Sequence, residues 1–326
     1  MINFDQGGDS APPLESSFVE LTRPAFRLTS LVAALSTWAL VAVGGVVRVT
    51  ESGLGCPDWP LCHGKPVPKS DKTAIIEYSH RATAGVSIVL VALTCFLAWR
   101  WYRSRSDIVW PAMAALVLVP FQAILGAIVV WLELPSWIVA IHFVVGLIYS
   151  GAAVVVAAAA WRRGEPTATP GFAALARAAL AVALVLVSVG AAVVSAHADE
   201  ACGEQWPGCN GGFAAGGGDA ALQVTHRMLA YTVAALALAL AVQAWRGRGP
   251  KVAGTLPLLA CLAQMAFGIS IVLAGEESSA HEPLAILHVA GAGAVWVSLV
   301  ALAVLAVPSR RAAEPARAIV TPARAA

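Results

Sequence analysis

Four histidines stand in two pairs of equal spacing, His80 with His142 and His226 with His288, each pair 62 residues apart. Two imidazoles brought to one depth can hold an iron from both faces, so bis-histidine haem ligation is the chemistry to weigh. The competing reading is four interfacial histidines bonded to backbone or water. Zinc or copper fits less well, because each half offers two histidines and no further paired ligand except Glu77. No Cys-x-x-Cys-His run is present for covalent haem attachment. Glu77 lies three residues before His80, a spacing that puts both on one helix face. Its counterpart before His226 is Gln223, which cannot exchange a proton. The first half therefore carries a candidate general base or charge stabiliser that the second lacks. The plainer alternative is an acid favoured by a helix N-terminus.

Arg81 and Arg227 directly follow His80 and His226. They read either as partners of anionic haem propionates or as arginines snorkelling to the membrane surface. Cys56 and Cys62, and again Cys202 and Cys209, bracket short segments that a disulfide can close. Such a pair is either structural or redox-active toward an external thiol protein. Cys95 and Cys261 have no repeat partner and read as small buried apolar residues. His63, His197 and His281 do not repeat and read as loop residues.

The scaffold for these groups follows from composition. The chain has 326 residues, 59% of them apolar and only 12% charged, against about 25% charged in ordinary soluble domains. The apolar excess must face lipid. The net charge of +2 gives no basis for a nucleic-acid partner. Charge-free runs long enough to cross a bilayer cover 28–47, 82–99, 108–132, 134–161, 178–196, 228–245, 252–275 and 283–309. Each is expected to be a helix, because lipid forces backbone hydrogen bonds to close within the segment. The acidic first 27 residues do not resemble a signal peptide, so the first span is expected to be retained. Fifteen of the 21 Lys and Arg residues lie in the two tails and the 2–3, 4–5 and 6–7 connections. The expectation is a multi-pass protein of the cell membrane, with both termini cytoplasmic and the histidine and cysteine sites toward the outer face.

An internal repeat organises the spans. A shift of 146 residues places Cys56 on Cys202, Glu77 on Gln223, His80 on His226, Arg81 on Arg227 and His142 on His288. Cys62 and the Trp59-Pro60 pair fall one residue short of Cys209 and Trp206-Pro207. Four spans per half keep both halves in one orientation. The expected fold is an all-α membrane protein of eight transmembrane helices in two pseudo-symmetric four-helix bundles. Its parts are a cytoplasmic N-tail (1–27), a first bundle (28–161), a cytoplasmic linker (162–177), a second bundle (178–309) and a cytoplasmic C-tail (310–326). Residues such as Gly291 and Gly293 suit close helix packing, within the chain or in a homo-oligomer.

The runs RVTESGLGCPDWPLCHG and EYSHRATAG, echoed as CGEQWPGC, THRMLAY and ILHVAG, resemble bacterial haem A synthase over residues 28–306. The resemblance implies that the C8 methyl of haem O is oxidised to a formyl group through successive hydroxylations. It implies that His226 and His288 ligate a bound haem b in the second bundle. His80 and His142 would flank the substrate haem in the first, and Glu77 would be the acid essential to catalysis. It also implies outer-loop disulfides at Cys56–Cys62 and Cys202–Cys209, supply of haem O by a membrane haem O synthase, and an unidentified electron donor or acceptor. Glu51 and the glycine tract at 208–218 depart from the family pattern, but neither is a proposed ligand. The competing function is a di-haem b electron-transfer protein of the quinol or ferric reductase type. A transporter or thiol relay fits less well, since the spans carry no midplane charges and a thiol relay leaves the histidines unexplained.

Overall fold

A computed structural model describes residues 14–68, 71–162, 167–209, 212–213 and 217–306, with side chains from residue 24 onward. Residues 1–13 of the assigned N-tail, the assigned C-tail, parts of the 162–177 linker and parts of the 208–218 glycine tract lie outside the described residues, while residues 14–27 of the assigned N-tail are helical and open α1. The described residues form eight long α-helices: α1 (Leu14–Val49), α2 (Lys72–Trp101), α3 (Ser106–Trp131), α4 (Ser136–Trp161), α5 (Pro170–Ser195), α6 (Gly218–Gln243), α7 (Lys251–Ala274) and α8 (His281–Leu305). All eight are long and apolar enough to cross a membrane. Large apolar side chains such as Val89, Trp110, Val117 and Val252 are more than half exposed. Such a surface suits lipid, and with eight spanning helices this is a multi-pass membrane protein.

Local signals set the helix ends. Asp71 caps α2 by accepting from Ala74 N at 3.1 Å, and Thr169 caps α5 ahead of Pro170. At the far ends of α1, α3 and α5 the chain closes Schellman turns. Ser52 N donates to Val47 O, Leu134 N to Val129 O and Ala198 N to Val193 O, with Glu51, Glu133 and His197 at positive φ. Glu51 and His197 are repeat equivalents, so the unusual glutamate marks a helix-terminating turn shared by both halves.

Helices α1 to α4 pack as a ring in which each touches its two neighbours, and α5 to α8 repeat that ring. The rings join through α4 against α8, α1 against α8 and α4 against α5. Trp38 Nε1 donates to Ala290 O at 3.2 Å and Trp296 Nε1 to Leu147 O at 2.7 Å across this seam. The core of each bundle is rich in alanine (Ala173, Ala176, Ala179 and Ala183 on α5; Ala112 and Ala115 on α3), which lets helices approach closely. In α7 and α8 full burial lies away from the cysteine loops. None of the described residues of α7 beyond Cys261, or of α8 before Gly293, is fully buried.

Candidate functional site

The four histidines lie near the end of the bundles that carries the cysteine loops. His80 is the ninth residue of α2 and His226 the ninth of α6. His142 and His288 sit in the second turns of α4 and α8. A charge on His142 reaches His80, and a charge on His226 reaches His288. The structure thus brings the sequence-predicted residues together in the two expected pairs.

Each imidazole lies against a glycine of a neighbouring helix. A Cβ on Gly44 of α1 would stand 3.1 Å from His80 Cε1, and one on Gly190 of α5 2.9 Å from His226 Cε1. A Cβ on Gly126 of α3 would stand 3.4 Å from His142 Cε1, and one on Gly268 of α7 2.9 Å from His288 Cε1. At Gly44, Gly190 and Gly268 a side chain would crowd the ring, while the Gly126 seat leaves ordinary contact distance. All four Nδ1 atoms are buried, and His80, His226 and His288 lie beside the backbone of Leu40, Leu186 and Gln264, each four residues before the glycine on which the ring rests. A histidine that binds a metal through Nε2 is commonly oriented through Nδ1. The rings are therefore seated against helix backbone with Cε1 nearest the glycine. This arrangement fits paired axial ligation of a haem.

These glycines expose a second register in the repeat. Gln122 and Gly126 of α3 correspond to Gln264 and Gly268 of α7, and Glu133 to Gly275, at an offset of 142 rather than 146. Gln122 Nε2 donates to His142 O at 3.1 Å, tying α3 to the histidine turn of α4. The shared Gln-x-x-x-Gly pattern was the available signal, and a single-offset comparison hides it.

Above the first pair, the 50–71 loop is built on α2. Cys56 and Cys62 form a disulfide, Cys62 and Lys65 exchange backbone hydrogen bonds, and the Trp59-Pro60 bond is cis. Asp58 accepts from His63 N at 2.6 Å and Gly64 N at 2.7 Å; the Gly64 bond foremost holds its carboxyl below the usual carboxylate range. His63 also bonds Gly55 O at 3.0 Å through Nε2, so this loop histidine closes the loop on itself. Buried Glu77 accepts from Cys56 N at 2.7 Å and from Arg81 at 2.5 Å. Arg81 gives its remaining terminal donors to the carbonyls of Cys56, Asp58 and Leu61.

The second loop repeats this plan with one substitution. Cys202 and Cys209 form a disulfide, Cys209 pairs with Gly212, and the Trp206-Pro207 bond is cis. Arg227 donates to Gln205 O and Gly208 O, and its Nη2 is buried without a partner. Gln223 donates to Asp199 O at 3.2 Å. The arginines therefore have a use that neither sequence reading contained: they clamp loop carbonyls onto α2 and α6. Among the described residues only the first half carries a carboxylate within this clamp, the Glu77–Arg81 pair.

The family model described as Cytochrome oxidase assembly protein matches residues 27–300. Curated relatives named Heme A synthase from Bacillus mycoides (strain KBAB4) and Bacillus cereus (strain AH187) are each 38% identical to this chain over 122 residues. Those alignments cover 36% of this chain and 39% of each relative. With the family model spanning nearly the whole helical region, from the first bundle into α8, this chain belongs to the COX15-CtaA family of cytochrome oxidase assembly proteins.

Proposed function

We propose that this protein is a haem A synthase that oxidises the C8 methyl of haem O to a formyl group, with substrate in the first bundle and a resident haem b in the second. Family membership supports the reaction. The observation that supports the assignment of sites is the set of four imidazoles, two in each bundle, each seated on a glycine of a neighbouring helix with Nδ1 buried. In this reading His226 and His288 hold haem b, and His80 and His142 flank the macrocycle of haem O. Haem O, when bound, brings the iron and the methyl that must lose four electrons and gain one oxygen.

The residues of the chain do the holding and the closing. Glu77 sits one helical turn from His80 and ties the Cys56–Cys62 loop to α2 through Cys56 N, while Arg81 compensates its charge. The loop thus forms a polar lid over the first pair, and Glu77 is the buried carboxylate that joins it to α2. In the second half Gln223 takes that position without charge, which suits a haem that stays in place. Arg227 Nη2, buried and unpaired, is a donor available to a haem propionate. The oriented protein has its termini in the cytoplasm and its loops outside, receives haem O from a membrane haem O synthase, and exchanges electrons with a partner outside this chain.

The test is to co-express the chain with a haem O synthase in a host that makes no haem A, then separate extracted haems by chromatography. A haem A peak that disappears with Glu77→Gln supports the proposal. Bound haem b without haem A, with haem O present and electron supply intact, overturns it.

A further inference from the structure

The two halves differ in one layer of the bundle interior, two helical turns from the histidines on the side away from the cysteine loops. In the first half this layer holds Thr37 on α1, seven residues before Gly44, and Ser87 on α2, seven after His80. Tyr149 and Ser150 on α4 lie seven and eight residues after His142. All four are buried. Ser87 Oγ and Tyr149 OH stand 2.9 Å apart, and Thr37 Oγ1 and Ser150 Oγ 3.1 Å. Tyr149 clusters with Ala33 of α1, Val91 of α2 and Ala115 of α3, so it lies between all four helices.

At the repeat-equivalent positions the second half carries Ala183, Val233, Val295 and Trp296, also buried. Four hydroxyls face a wholly hydrocarbon and indole layer. A second difference accompanies this one. A Cβ on Gly85 of α2 would meet nothing within 4 Å, whereas its equivalent on α6 is Tyr231, whose hydroxyl is buried. The first bundle therefore has a hydroxylated floor and an open flank, where the second has an aliphatic floor and an aromatic ring.

Buried hydroxyls must be kept hydrogen-bonded, a demand that hydrocarbon at the same positions avoids, and the second half shows that the fold accepts hydrocarbon there. Resting on the reading of the first bundle as the substrate site, we infer that this layer recognises the hydroxyl on the isoprenoid side chain of the substrate haem. The Gly85 flank gives that chain its route to lipid. Haem O differs from haem b in bearing a hydroxyalkyl isoprenoid chain where haem b has a vinyl group. Seven residues of helix place the layer roughly 10 Å from the histidine level along the axis, a depth suited to the first atoms of a substituent at the porphyrin edge. Ser87 and Tyr149 each both donate and accept, so their mutual bond can open to take a ligand hydroxyl between them. Their mutual bond also satisfies them beside a haem without that hydroxyl, so discrimination comes from the added bonds rather than from exclusion. One or two such bonds amount to about tenfold in affinity.

The experiment titrates the detergent-solubilised full chain, with haem b already in place at His226 and His288, against haem O and against haem b. Tyr149→Phe and Ser87→Ala should each weaken haem O binding about tenfold and change haem b binding at the first site less than twofold. Gly85→Tyr should weaken haem O selectively by obstructing the chain. Retention of the second-half haem b spectrum verifies folding in every variant. Equal loss of both haems, or unchanged preference for haem O, overturns the inference. If the unsubstituted chain itself binds no haem O, the underlying assignment of the first bundle fails instead.

Discussion

Replacing Gly190 by alanine should weaken haem b binding while making the helix itself more stable, a combination that few other substitutions would give. The new methyl would stand 2.9 Å from His226 Cε1 and 3.2 Å from Nδ1, closer than carbon atoms tolerate. The ring is held by its place against α5, so it must tilt or the helices must part. Overpacking of this kind costs about 1–3 kcal/mol, or roughly 5- to 150-fold in haem affinity at 1.4 kcal/mol per tenfold. Against this, Gly→Ala within a helix gains about 0.5–1 kcal/mol of fold stability. Gly268→Ala, also at 2.9 Å from its histidine, should behave alike, and Gly126→Ala at 3.4 Å should leave haem binding near its original strength. The assay is haem per protein in detergent at graded haem concentrations, beside thermal unfolding of the haem-depleted chain. Full haem occupancy and an unaltered spectrum in Gly190→Ala would refute the seating of His226 on Gly190.

Further outcomes follow from the loops. Glu77→Gln removes the charge that compensates Arg81 but keeps an acceptor for Cys56 N; it should retain haem b and lose haem A formation, read by haem chromatography, and full turnover would reject a chemical role for the carboxylate. Asp58→Asn should loosen the 50–71 loop at neutral pH, read as faster cleavage by an added protease. Since the Asp58 carboxyl titrates below its ordinary value of 3.8, the stabilisation is complete above that value and is lost as pH falls through the lower folded value. The difference between Asp58→Asn and the parent should therefore vanish in strong acid, and a difference that persists there would contradict the assignment. Cys56→Ser should lower stability by about 2 kcal/mol for so short a closed loop and spare turnover in the folded fraction; loss of turnover in a stable, haem-loaded variant would instead show that the pair is redox-active.

Much of the scaffold was legible because lipid imposes a simple rule on the sequence, and eight charge-free runs became eight helices. The helix bounds were less legible. Runs cut at Arg81 and Arg227 put His80 and His226 at helix ends, yet α2 and α6 begin eight residues earlier because Asp71 caps one and a polar turn precedes each histidine. The histidine pairs, their spacing and the Glu77/Gln223 difference were visible as residue types. The glycine seats were not, since a lone glycine in a span announces neither its neighbour nor its face. The loop clamp made by Arg81 and Arg227 was hidden for a similar reason. Their partners are backbone carbonyls of loops some twenty residues away, which no side-chain pattern records. The Ser87–Tyr149 and Thr37–Ser150 pairs escaped attention because serine, threonine and tyrosine are unremarkable in a span until their equivalents are seen to be alanine, valine and tryptophan.

The central claim is that the two bundles hold two different haems. It is tested most directly by the haem inventory of two double variants, His226→Ala with His288→Ala and His80→Ala with His142→Ala, each expressed with haem O available. The account predicts that the first loses haem b and keeps the haem O-derived pigment, and that the second does the reverse. Loss of the same pigment from both variants would contradict it.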